Sequence, residues 1–254
     1  MKTRYFIYLS FKGTYYHGWQ IQPNAVSIQQ ILEETLSLVL GEKISTTGAG
    51  RTDAGVHAIA FCAHFDCSVP DLDSEKNLIF RLNRFLPNDI SILSIKKVIP
   101  EANARFSAVS RTYRYFISRK KDPFSIDSSW SLFGNLDTEA MEKAVGLLTK
   151  YSDFTSFSRL HSDNKTNICK ISHASWKNMD DKLVFTIKAD RFLRNMVRAI
   201  VGTMTELGAG KISPEEFEEI ILLKDRSKAG MSAPAQGLFL AEIEYPEDLF
   251  LNAR

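Results

Sequence analysis

The chain has 254 residues, with 32 Lys and Arg against 30 Asp and Glu, a formal net charge of +2. A composition of 44% hydrophobic and 24% charged residues is that of an ordinary globular protein and excludes disorder, collagen-like sequence and low complexity. The near-zero charge also weighs against a nucleic-acid partner, since such proteins tend to be strongly basic, until the distribution of the charge is considered.

The three cysteines, Cys62, Cys67 and Cys169, are an odd number without a CxxC pair. They argue against a disulfide framework or a cysteine zinc site and fit a reducing compartment. The five histidines are scattered, so no metal site is expected. No run of 18 apolar residues is present, so no membrane span is expected. The N-terminal MKTRYFIYLSFKGTYY has neither an uninterrupted apolar core nor a small-residue cleavage site, and reads as a strand. The cytoplasm is the default location.

In chain order, the aromatic and β-branched run 4–11 predicts a strand ended by Gly13. Ile28, Ile31, Leu32, Leu36 and Val39 recur at helical spacing, with Ser27 and Gln30 as a capping box and Gly41 as the stop. Strands are expected at 44–49 and 57–66, around a glycine-rich loop from Gly48 to Gly55. A helix at about 74–85 and a strand at about 90–99 complete the first half. The second half predicts a strand over 104–118 and a helix over 138–149 with Met141, Ala144, Val145 and Leu148 on one face. Strands follow at 168–178 and 182–189, separated by Met179-Asp180-Asp181. A helix is expected at 192–207 and another starting at Ser213-Pro214-Glu215-Glu216, with cap, proline and glutamate in the favoured places. A last strand covers 238–245. The pattern is α+β, in two halves, 1–103 and 104–254.

Charge is sorted along the chain. Between Ala102 and Lys121 there are six basic residues, Arg105, Arg111, Arg114, Arg119, Lys120 and Lys121, and no acidic one. Arg191, Arg194 and Arg198 fall at i, i+3 and i+7, one face of the expected helix. Acids gather at 215–219 and 242–248. This sorting is read either as one basic face on a near-neutral protein or as solvated surface charge.

The segment Gly48-Ala49-Gly50-Arg51-Thr52-Asp53-Ala54-Gly55-Val56-His57-Ala58 carries three glycines that permit tight turning and close approach. It is not a phosphate loop, having neither GxxxxGK[ST] nor GxGxxG before a helix. Asp53 on such a loop is a turn former or a catalytic carboxylate, and pattern alone leaves both open. GAGRTDAGVHA resembles the signature of the TruA family of tRNA pseudouridine synthases, whose catalytic aspartate lies in GRTDxGVHA. Tyr16-His17-Gly18-Trp19-Gln20 resembles the family's N-terminal motif. Ala104-Arg105-Phe106-Ser107-Ala108, with Arg111-Thr112-Tyr113-Arg114-Tyr115, is similar to its second motif. Asp153-Phe154-Thr155-Ser156-Phe157, Met196-Val197-Arg198-Ala199-Ile200-Val201-Gly202 and Gly237-Leu238-Phe239-Leu240 follow in family order. The resemblance spans about 4–245. One departure is the stretch Thr166-Asn167-Ile168-Cys169-Lys170-Ile171, where the family often has an arginine.

The resemblance implies a pseudouridine synthase fold: two α/β-sandwich halves, RRM- or ferredoxin-like, sharing a mainly antiparallel sheet around a central active-site cleft. It implies isomerisation of uridine to pseudouridine at positions 38, 39 and 40, in the anticodon stem-loop of tRNA, by a homodimer without cofactor or metal. Asp53 is then the catalytic carboxylate, and Arg198 its ion-pair partner, which offsets the cost of burying that charge under RNA. Tyr113 stacks on the extruded uracil and is a candidate relay for the C5 proton; a cross-strand aromatic is the plainer alternative. Arg51 matches the arginine that displaces the base or holds flanking RNA, and Arg105, Arg111, Arg191 and Arg194 are candidate RNA contacts. Whether Asp53 attacks the sugar, attacks the ring or takes a ribose proton is not decided by sequence. A non-catalytic RNA-binding module, a hydrolase using Asp53 with His57, and a synthase for another RNA are the competing readings.

Overall fold

The computed structural model describes residues 2–75, 77–159 and 166–251. By its internal contacts the chain forms two units, 1–109 with 240–254, and 110–239. The expected division at 103/104 falls six residues early, and it misses the return of the later segment to the first unit. That return has a physical cause on strand β1 (Thr3–Phe11), in which Tyr5, Phe6 and Ile7 are all buried. Strand side chains alternate between faces, so three successive buried residues require cover on both sides. Phe6 finds it in Tyr245 and Phe250, whose ring centroids lie 4.9 and 6.1 Å away. Backbone bonds from Ile99 N to Leu249 O (3.0 Å), Leu251 N to Lys97 O (3.1 Å) and Val109 N to Glu244 O (2.9 Å) tie the segment down.

In the first unit, helix α1 (Ile28–Leu40) starts where Ser27 Oγ accepts from Gln30 N at 3.3 Å. It stops at Gly41, which is left-handed at φ 71°. The Gln30 side chain donates instead to Glu34, so the expected capping box is half made. Strand β2 (Thr46–Gly48) and strand β3 (His57–Cys67) flank the glycine-rich loop. Helix α2 (Leu78–Phe85) is shorter than the expected 74–85, and position 76 lies outside the described residues. Strand β4 (Ile90–Lys97) pairs with β1, β1 with β3 and β3 with β2, all antiparallel. Arg4 and Asp66 face each other across the β1–β3 ladder, and Arg4 Nε and a terminal nitrogen grip both carboxylate oxygens at 2.8 and 2.9 Å.

The second unit begins with strand β5 (Ser110–Ser118). The expected strand over 104–118 therefore starts six residues late, because Asn103 turns the chain at 103–107 with its carboxamide. Strand β6 (Trp130–Ser131) adds to β5 in parallel. After helix α3 (Thr138–Leu148) come strands β7 (Ile171–Met179) and β8 (Lys182–Ala189), so that β5, β8 and β7 pair antiparallel in that order. Asp180 takes the left-handed φ of 53° in the turn between β7 and β8. Helix α4 (Met196–Gly208) and helix α5 (Pro214–Leu223) pack with α3, and Met141, Ala144, Val145 and Leu148 are buried as their spacing requires. Strand β9 (Leu238–Glu244) belongs to the second unit up to Phe239 and to the first from Leu240. Both units are mixed α+β with mainly antiparallel pairing.

The α5 box is complete: Ser213 Oγ accepts from Glu216 N at 3.2 Å, and Glu216 accepts from Ser213 N at 2.7 Å. Ser213→Ala removes the first of these and should lower stability by about 1 kcal/mol. Denaturant unfolding should show a lower midpoint with an unchanged slope.

Candidate active site

Asp53 sits on the connection between β2 and β3, and the loop is seated by close approach. A Cβ on Gly13 would come within 2.0 Å of Val56 O, and one on Gly18 within 2.1 Å of Thr52 O. Gly18 also holds φ at +83°, so steric room and backbone conformation both demand glycine there. Gly55 N donates to Tyr16 O at 3.3 Å, and Val56 N donates to Asp53 O at 3.2 Å, closing a four-residue turn. Gly55 takes its third position with φ +78°. Asp53 is half-buried and Arg51 exposed. The YHGWQ motif thus supplies the seat of the carboxylate loop: Tyr16 by its carbonyl and Gly18 by its missing side chain.

His57 is not a second acid/base group beside Asp53. Its ring is 1% exposed, and its Nδ1 accepts a hydrogen bond from Gly13 N at 3.0 Å. It fastens the strand to the glycine turn, which removes the support that a hydrolase reading drew from it.

A second rigid turn belongs to the same unit. Asn103 Oδ1 accepts from Arg105 N (2.9 Å) and Phe106 N (3.1 Å). Ser107 N donates to Asn103 O (2.9 Å), and Asn103 N donates to Ser107 Oγ (3.0 Å). Arg105 and Phe106 are exposed on it, with the guanidinium 5.4 Å from the ring centroid. The turn is anchored from below by Ala104 N, which donates to His64 Nδ1 at 3.1 Å.

In the second unit, Tyr113 lies half-buried on β5 with Phe192 edge-on, centroids 5.0 Å apart. Arg111 donates to Asp190 O at 2.9 Å, so part of its guanidinium serves the fold. The expected helical stripe of Arg191, Arg194 and Arg198 does not form. Asn195 is left-handed at φ 67° and α4 begins after it, which leaves Arg191 and Arg194 in the preceding turns and only Arg198 on the helix. Asn195 Nδ2 donates to Ser232 Oγ, a tie between distant segments that helical periodicity does not register.

Arg198 is held in reciprocal fashion. Its Nε donates to Ala233 O at 2.7 Å, and Ala233 N donates to Arg198 O at 2.9 Å. Tyr115 Oη donates to Pro234 O at 2.7 Å, and a Cβ on Gly202 would come within 1.7 Å of Met231 O. Burial pushes the Tyr115 phenol above its ordinary value, and the Arg198 charge opposes that shift. The 230–237 segment that clamps Arg198 was invisible in the sequence, having neither periodicity nor a motif of its own beyond Gly237. The Asp153 motif is scaffold: Asp153 accepts from Thr155 and pairs with Lys224 at 2.9 Å, while the buried Ser156 hydroxyl donates to Ile220 O at 2.6 Å.

Part of the basic run is paired within the fold. Lys120 pairs with Asp181 at 2.7 Å, and Arg119 donates to Gly134 O. Among the described residues no cluster of three or more His, Cys, Asp or Glu could hold a metal ion, and no helix is long and apolar enough to cross a membrane.

The first unit carries a glycine-seated carboxylate and the second a helix arginine clamped by the backbone. A family model described as tRNA pseudouridine synthase matches residues 151–246, the stretch that contains Arg198. Relatives called tRNA pseudouridine synthase A match nearly the whole chain. Those of Parabacteroides distasonis and Bacteroides thetaiotaomicron are each 53% identical over 250 residues, 97% of this chain and 98% and 92% of theirs. That of Acetivibrio thermocellus is 37% identical over 241 residues, covering 93% of this chain and 97% of its own. The chain belongs to the tRNA pseudouridine synthase A family. A solved dye-decolorizing protein from V. cholerae is 12% identical, with a TM-score of 0.23 over 82% of this chain and 88% of its own.

The His64 anchor makes the Arg105 turn sensitive to acid. Burial pushes the imidazole below its ordinary value, the Arg4 charge pushes the same way, and Asp66 opposes them. The unfolded chain therefore takes the proton more readily. The stabilisation is full above the unfolded value of about 6.5 and is lost as the pH falls below it toward the folded value. In His64→Asn the amide oxygen can accept from Ala104 N without titrating. Thermal midpoints of the native protein should therefore fall more steeply than those of His64→Asn between about pH 7.5 and 5.5.

Proposed function

We propose that this protein isomerises uridine to pseudouridine in the anticodon stem-loop of tRNA, with Asp53 as the nucleophile. The observation that carries the reading is the seating of the Asp53 loop on Gly13 and Gly18 in a chain 53% identical to proteins named tRNA pseudouridine synthase A. A loop that cannot slide presents its carboxylate in one position, which is what attack on an extruded nucleotide requires. The reaction breaks the bond from uracil N1 to the ribose and joins C5 to the same carbon. The C5 proton leaves and N1 regains one, so atoms balance without oxidant, nucleotide or cofactor.

Arg198 is proposed as the cation that keeps the carboxylate ionised when RNA covers it. Support comes from its fixed posture: with Nε bound to Ala233 O, the terminal nitrogens are aimed by the fold rather than by solvent. Tyr113 is proposed to stack on the uracil; its half-exposed ring, braced edge-on by Phe192, suits that use. Arg51, Arg105, Arg111, Arg191 and Arg194 are proposed RNA contacts, with Arg51 and Arg105 the most exposed candidates of the first unit. The reading includes the arrangement implied by resemblance, two α/β-sandwich halves sharing a sheet around a cleft, and a cytoplasmic homodimer.

Release of tritium from C5-labelled uridine in tRNA tests the proposal. The native protein should release label, and Asp53→Asn should lose release by at least about 10³-fold while still binding tRNA. Release retained by Asp53→Asn sinks the catalytic assignment, and tight binding with no release by the native protein favours a binding module. Arg198→Ala should slow turnover by about 10²-fold or more with a smaller change in tRNA affinity; an affinity loss alone would make Arg198 a phosphate contact.

A further inference from the structure

Phe106 is the aromatic side chain on the Asn103–Ser107 turn and is 77% exposed. A phenyl ring so placed contributes little to the core, yet the backbone of its turn is held by four hydrogen bonds. Asn103 receives both the Arg105 and Phe106 N–H groups, and Ser107 closes the turn in both directions. Order is being spent on a surface aromatic. The Arg105 guanidinium, 5.4 Å from the ring centroid, places a cation beside the π face.

The location gives this ring a use. Ala104, two residues before Phe106, and Ala49, four residues before Asp53, belong to one buried cluster with Phe6 and Cys62. Ala104 N bonds His64, which pairs with Thr47 on β2, and β2 leads directly into the Asp53 loop. The turn and the carboxylate loop therefore rise from one patch of the same unit. A nucleotide presented to Asp53 must leave its stack, which uncovers the faces of the bases on either side. An exposed aromatic on a hydrogen-bonded turn, beside a cation, is the side-chain chemistry that covers a bare base face.

We propose that Phe106 is an RNA-stacking residue on which a nucleobase flanking the extruded uridine rests, with Arg105 holding the adjoining phosphate. The proposal rests on the tRNA-modifying reading above and adds to it a determinant of how the flanking RNA is held.

The experiment uses the full protein and an unmodified tRNA transcript labelled at uridine C5. Phe106→Ala should lower kcat/KM by about 5- to 100-fold, chiefly through KM. Phe106→Trp and Phe106→Tyr should remain within about threefold of the native protein, and Phe106→Leu should resemble the alanine variant, since leucine keeps apolar area but offers no ring face. The slope of log affinity against log salt should be unchanged in Phe106→Ala and reduced by about one in Arg105→Ala. Thermal midpoints of the Phe106 variants should match the native one. Full activity in Phe106→Ala, or activity in Phe106→Leu equal to that of Phe106→Trp, overturns the stacking role, as does a loss that tracks a fall in midpoint or a change of oligomeric state. If the native protein releases label, Asp53→Asn does not, and Phe106→Ala is unaffected, the stacking proposal alone fails. If the native protein releases none, the functional reading itself fails.

Discussion

Two carbonyl oxygens, those of Thr52 and Val56, press against Gly18 and Gly13 so closely that no side chain fits between them. The position of Asp53 depends on that contact. A backbone packed on a backbone has no rotamers to exchange and few soft degrees of freedom, so the loop between the two contacts is defined nearly as well as a strand. The buried His57 reinforces it by taking the Gly13 N–H that would otherwise be left without a partner. Gly13, Gly18 and Gly55 permit this seat, which accounts for glycines both in the loop and in a segment some forty residues earlier. Trp19 completes the seat by stacking on Phe61 at 4.2 Å directly over Gly48.

The second unit solves a similar problem in another way. A long flexible arginine is immobilised by exchanging hydrogen bonds with the backbone of a crossing segment, and that segment is in turn pressed against Gly202 and bonded by Tyr115, Asn195 and Thr203. Guanidinium groups suit this use because the fork remains directional after one nitrogen is committed. Of the arginines ahead of α4, Arg194 is exposed. Among the described residues, Arg4, Arg111 and Arg119 give side-chain donors to the fold, and Arg51 and Arg105 are exposed.

Much of the secondary structure was legible because it rests on local physics. The aromatic and β-branched run of β1, the Gly41 stop and the Ser213 box each depend on residues within a few positions of one another, and each stands where the sequence put it. The misreadings share a cause. The strand expected from 104 and the helix expected from 192 both carried plausible periodicity, but Asn103 and Asn195 interrupt them with side-chain bonds and a left-handed backbone that hydrophobic spacing does not register. At the site, residue types and the motif pointed to Asp53, Tyr113 and Arg198. The sequence offered no sign that Phe192 braces Tyr113 or that Ala233 holds Arg198, since both depend on partners far along the chain. Net charge misled for a related reason: a sum over residues contains no positions.

The return of residues 240–251 to the first unit bears on the order in which the molecule is made. Residues 110–239 are contiguous, so the second unit has all of its own chain as soon as they have left the ribosome. The first unit does not, because Phe6 waits for Tyr245 and Phe250, and Ala104 O waits for the Tyr245 hydroxyl. Until residues 245–250 are made, Phe6 lacks those two rings, and its side of β1 is more open to wrong partners. The half that bears Asp53 is begun first and finished last.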